Sequence, residues 1–208
     1  PSGLPTLRDV LSDIAIGFRF LWDDAAMRSM SLVSLFFNFF GLMTGAVFIP
    51  FLKRDFGASD AHVGYALGIG AIGALVGSYL GGRLPASWPF GRIMIVAYII
   101  DGLFFMPVAF THNLVVAVFF LALTNACVLL EVTQIVGWRT RLIPEDLVGR
   151  VFGAARLITL GGTVPGAIVG GFLADRYGAR LPIIISGFGY LAMALAISLF
   201  PAIRREAR

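Results

Sequence analysis

The stretch "GGFLADRYGAR", Gly170 to Arg180, interrupts an otherwise apolar text. It sets two glycines, the pair Asp175-Arg176, then Gly178 and Arg180 between two long hydrophobic runs. The run before it covers roughly Val151–Ala174 and the run after it Leu181–Pro201. Working outward, four more such runs precede them: Met27–Leu52, His62–Leu84, Arg92–Phe110 and Leu114–Trp138. A helix needs about 20 apolar residues to cross roughly 30 Å of hydrocarbon, and each run is about that long. The charges of the quoted stretch therefore lie in a connection between two spans. The expected fold is all-α, with six transmembrane helices.

Composition supports the same class. The chain is 58% hydrophobic and 13% charged, and its mean hydropathy is +0.89. A water-facing surface needs more polar residues than that. The single cysteine, Cys127, sits in an apolar run and excludes an internal disulfide or a thiolate cluster. His62 and His112 lie near span ends and read as interfacial polar groups, so no metal site is expected. No phosphate-binding glycine loop, HExxH or GxSxG occurs, so neither an enzyme nor a cofactor is expected. The net charge of +4 is spread over span ends rather than gathered in one stripe, which argues against nucleic acid as a partner. The expected partners are a lipid bilayer and a small molecule. The chain opens Pro1-Ser2-Gly3, with neither an initiator Met nor a charged-then-apolar leader, and reads as a fragment, a processed product or a trimmed chain.

Basic residues orient the spans. The N-terminal segment, the connections after the second and fourth runs and the C-terminus hold twelve, including Arg83, Arg92, Arg139, Arg141, Arg150 and Arg156. The opposite side holds four: Lys53, Arg54, Arg176 and Arg180. Both termini are expected in the cytoplasm and the quoted stretch outside.

Residues 1–26 are of another kind. Leu7, Val10, Leu11, Ile14, Phe18, Leu21 and Trp22 recur at helical spacing, opposite Arg8, Asp9, Ser12, Asp13 and Asp23. Thr6 after Pro5 is a suitable helix cap. The segment is too short and too charged to span, and reads as an amphipathic helix along the cytoplasmic interface. The expected organisation is this helix in 1–26, the bundle in 27–203 and a basic cytoplasmic tail in 204–208.

Ionisable groups inside spans are expensive and are functional candidates by default. Asp101 lies near the middle of the third span, Glu131 in the fourth and Arg156 in the fifth. Thr124, Glu131, Gln134 and Trp138 recur on one face that can line a cavity. Either acid can serve as a proton-coupling group; equally, Glu131 and Arg156 can form a buried ion pair tying their spans together. Asn38, Asn125, Thr159 and Thr163 are further intramembrane polar groups, suited to helix–helix hydrogen bonds or to substrate. Glycine is concentrated in the second and fifth spans. Gly73, Gly77 and Gly81, and likewise Gly162, Gly166 and Gly170, repeat every fourth residue, which lets helix backbones approach closely.

The pattern Gly171-x-x-x-Asp175-Arg176-x-Gly178-x-Arg180 resembles the loop signature of the major facilitator superfamily. A weaker copy, "GGRLPASWPFGR" from Gly81 to Arg92, follows the second span without an Asp. "RTRLIPEDLVGRV", Arg139 to Val151, resembles a loop of the siderophore and macrolide efflux branch, and "GGTVPGAIVGG", Gly161 to Gly171, resembles a glycine-proline motif of exporters. The degraded copy after the second span and the amphipathic leader resemble the C-terminal half and its cytoplasmic linker. The resemblance implies half of a transporter in a bacterial inner membrane, exporting a drug-like or siderophore-like molecule as a proton antiporter by alternating access. Small-solute uptake, or a half-size scaffold without transport of its own, are the alternatives. In that family the glycine-rich helices pack on the opposite half. The glycines named above are therefore expected to meet an N-terminal six-helix half or a second copy of the chain.

Overall fold

The computed structural model describes residues 7–85 and 87–199. The Thr6 cap, the end of the sixth run at Pro201 and the tail 204–208 lie outside the described residues. Helix α1 is Leu7–Asp23, α2 Ala25–Phe56, α3 Asp60–Arg83, α4 Phe90–Phe110 and α5 Leu114–Leu142. A 3₁₀ turn at Glu145–Leu147 leads into α6, Val148–Tyr177, and α7 is Arg180–Leu199. Helices α2 to α7 are the six long and apolar enough to cross a membrane, and no strand occurs among the described residues. Each of them leaves large apolar side chains uncovered, such as Phe36, Leu75, Leu103, Val115, Ile168 and Leu195. That surface suits hydrocarbon and not water, and makes the chain an integral membrane protein.

Polar residues in the short connections define the helix ends. Asp24 caps α2 by accepting from the Met27 amide at 2.7 Å, and Asn113 caps α5 by accepting from Val115 and Val116. Gly57, at φ 63°, closes α2 in the left-handed conformation. Gly178, at φ 89°, ends α6 inside the quoted stretch, where a side chain would be strained.

The pairing of helices is not sequential. The most extensive contacts are α2 with α6, α3 with α5 and α4 with α7, followed by α4 with α5 and α2 with α7. Exchanging α2–α4 for α5–α7 maps the α3–α5 seam onto α6–α2, maps α4–α5 onto α7–α2, and leaves α4–α7 in place. The bundle is thus two three-helix units related by a pseudo-two-fold. Because each unit has an odd number of crossings, the second runs inverted.

The glycine rows build the two equivalent seams. A Cβ added at Gly73 or Gly77 would fall on the backbone carbonyl of Ala122 or Ala126 in α5. A Cβ at Gly162, Gly166 or Gly170 would fall on the carbonyl of Leu35, Phe39 or Met43 in α2. Gly81 packs close to Leu130 and Thr133. This corrects the expectation that these six glycines meet a second half or a second copy. Their faces are occupied inside the chain, because α5 and α2 lie close enough for backbone to meet backbone.

Helix α1 docks beside the first turns of α6. Gly17 lies against the Arg150 carbonyl, and the Arg150 Nε stands 2.7 Å from an Asp13 carboxylate oxygen. Leu21 is fully buried, whereas Val10, Leu11 and Trp22 of the same stripe remain exposed.

Candidate functional site

The helices place two acids at one depth of the bundle. Asp101 on α4 and Glu131 on α5 are both fully buried. None of their four carboxyl oxygens has a hydrogen-bond partner among the described residues, and neither has the Tyr98 hydroxyl one turn before Asp101. Carboxylates removed from water without cation or donor are costly, and two together more so. The arrangement is chemically suited to taking up and releasing a proton.

The Glu131–Arg156 ion pair considered from sequence does not form. Neither residue takes part in an ion pair among the described residues, and the Glu131 carboxyl oxygens have no hydrogen-bond partner there. Glu131 is fully buried, and Arg156 is exposed.

A cavity of about 590 Å³, open on one side, lies between α2, α3 and α5, and neither acid lines it. Asn38, Thr44, Thr124 and Asn125 supply its polar groups, and Phe48 and Phe105 belong to its apolar wall. The amide nitrogens of Asn38 and Asn125 donate to the Ser34 and Leu121 carbonyls of their own helices. Tyr190 also lines it. It stacks on Phe105 with ring centroids 5.4 Å apart and donates to the Phe37 carbonyl at 3.4 Å.

The face Thr124, Glu131, Gln134 and Trp138 serves several neighbours. Thr124 reaches the cavity and Glu131 is fully buried. Gln134 donates to the Gly81 carbonyl on α3 at 2.6 Å, and Trp138 stacks on Phe90 of α4 with centroids 4.8 Å apart. Thr159 and Thr163 donate to carbonyls of α6 itself.

In the quoted stretch, Arg180 is the residue with partners. Its Nε meets an Asp55 carboxylate oxygen at 2.8 Å, and a terminal nitrogen donates to the Ala109 carbonyl at 2.8 Å. His112 lies 3.3 Å from the other. Arg180 thereby joins the start of α7 to the ends of α2 and α4. Asp175 and Arg176 are exposed and make no side-chain hydrogen bond or ion pair among the described residues.

Sequence reasoning missed Arg139. It was counted among the anchoring charges at a span end, yet it is 6% exposed. One terminal nitrogen lies 3.3 Å from the Ser34 hydroxyl and 3.5 Å from that of Ser31, while its Nε has no partner. No carboxylate lies within 4.0 Å of it among the described residues.

Six apolar helices in two inverted units, around a half-open cavity with buried ionisable groups, define a membrane transporter fold. The Major Facilitator Superfamily profile matches residues 31–208, and the chain belongs to that family. No curated protein and no solved structure matches it significantly.

Proposed function

We propose that the chain is the C-terminal half of a proton-coupled exporter of drug-like or siderophore-like molecules, working by alternating access. The observation that carries this reading is that the carboxyls of Asp101 and Glu131 are fully buried and without partners among the described residues, in a bundle that also holds an open cavity. A proton on the pair removes one of two repelling charges, and its release restores it. A conformational change that alters water access to the pair would couple proton movement to movement of the cavity's occupant.

The cavity is open on one side, as expected of a half-site completed by an N-terminal half. Helices α3 and α6 bury the smallest share of their most apolar windows, 22% each, and so offer the widest faces for that half or for lipid. With the glycine rows occupied internally, such an interface uses the side chains around them. The basic bias places both termini in the cytoplasm of a bacterial cell, with α1 on the inner surface of its cytoplasmic membrane.

The test is transport in vesicles by the full-length protein, comparing transport driven by a pH gradient with exchange at equal pH. Asp101→Asn and Glu131→Gln are expected to lower the gradient-driven rate at least tenfold while exchange persists. Undiminished gradient-driven transport in both variants would make the acids structural.

A further inference from the structure

Arg139 and Arg156 come from different helices, α5 and α6, and line one pocket of about 190 Å³ beside α2. Ser34, Asn38 and Thr159 line it as well, and no Asp or Glu does. A guanidinium stays charged under all ordinary conditions, so a buried one requires oxygen partners. Two serine hydroxyls give Arg139 weak, neutral acceptors and leave its Nε vacant. Arg156 has no hydrogen bond or ion pair among the described residues. Two unpaired cations thus converge on a space without an anion.

The pocket is smaller than the usual site for a whole drug-sized molecule. It shares Phe37, Asn38 and Val132 with the 590 Å³ cavity, so the two are adjoining compartments with a common wall. The larger is mainly apolar; the smaller carries the positive charge.

We infer that Arg139 and Arg156 bind the oxyanion, a carboxylate or phosphate, of an amphiphilic substrate whose apolar body occupies the larger cavity. Forked N–H donors suit such a group. The inference rests on the transporter reading and narrows its substrates to organic anions. Arg139, already held by Ser31 and Ser34, is the fixed element of the site. Arg156, exposed and without an ion pair among the described residues, supplies the second cation.

Binding is measured without transport, on the full-length protein in a neutral detergent, by ligand-detected NMR with four probes. Benzoate and phenyl phosphate carry oxyanions; benzyl alcohol is neutral and benzylammonium cationic. The two anions are expected to bind saturably and the other two not. Arg156→Gln removes no contact within the described chain, and is expected to weaken benzoate at least tenfold, with Arg156→Lys retaining most of the affinity. Arg139→Gln is expected to abolish binding, but Arg156→Gln decides, because it leaves the Ser31 and Ser34 contacts intact. Equal binding of all four probes, or wild-type affinity in Arg156→Gln, would overturn the inference. A lipid headgroup offers the same phosphate chemistry, so native mass spectrometry with phosphatidylglycerol forms a second arm. Lipid adducts that Arg156→Gln removes and benzoate does not displace would assign the pocket to lipid and overturn it too. Anion binding that survives in Asp101→Asn, with or without coupled transport, separates the fate of this site from that of the proton-coupling proposal.

Discussion

Arg180 shows how one side chain can hold three helix ends. Its guanidinium spans an Asp55 carboxylate and the Ala109 carbonyl, with His112 at its edge. The group is about a quarter exposed, so the ion pair is partly screened and the hydrogen-bond geometry matters as much as the charge. Arg180→Gln is expected to cost roughly 1–3 kcal/mol. A double-mutant cycle with Asp55→Asn, read from thermal unfolding in detergent, is expected to give a coupling of about 0.5–1 kcal/mol. Strict additivity would mean that the pair does not join α7 to α2. The charge pattern around this residue was legible in sequence, as were Asp101 and Glu131, because an acid in an apolar run is costly wherever it points. Arg139 was not. It stands beside Arg141 at the end of a run, where anchoring charges are common, and its burial depends on α2 bringing Ser31 and Ser34 to it from more than 100 residues away.

At the level of helices, sequence gave the six spans and their ends to within a few residues, since caps, prolines and charges mark them locally. It also gave the close-packing glycine faces. The partners of those faces were beyond it, because a row of small residues says that a backbone approaches but not whose. The structure puts Ala126 against Gly77 and Phe39 against Gly166, which changes what substitution there should do. Gly77→Leu and Gly166→Leu are expected to destabilise the chain itself by about 1–3 kcal/mol or more, as overpacked cores do, rather than only to weaken association. Gly161→Ala is the control. Nothing lies within 4 Å of its added Cβ, and alanine favours the helix, so stability should hold or rise by up to about 1 kcal/mol. Detergent thermal-shift curves of the variants make the comparison. A Gly77→Leu protein as stable as Gly161→Ala would contradict the close α3–α5 seam.

At the scale of the molecule, the two inverted units explain why a chain with little visible internal repetition is nearly symmetric in its contacts. The sequence signal survives chiefly as the paired glycine rows, 73-77-81 and 162-166-170. The expected orientation belongs to this scale too, since it rests on charge summed over all the connections. Single cysteines placed at Arg83, Arg141, Arg54 and Arg180 in a Cys127→Ser background should sort into two classes with a membrane-impermeant reagent. Positions 54 and 180 should react in intact cells, and positions 83 and 141 only after the membrane is opened. Labelling of position 180 only in opened cells would reverse the assignment.

The crossed pairing of helices bears on biogenesis. Helix α2 is made first among these six spans, yet its close seam is with α6. Roughly 130 residues separate Leu35 from Gly162, so at about 5–20 residues per second synthesis alone delays that contact by roughly 6–25 s. Helix α3 waits less, because α5 is nearer along the chain. For that interval α2 stands in the bilayer, or at the insertion machinery, with its seam face around Leu35, Phe39 and Met43 unmatched. The order in which this membrane domain is made is therefore not the order in which it locks together, and its first span is among the last to find its place.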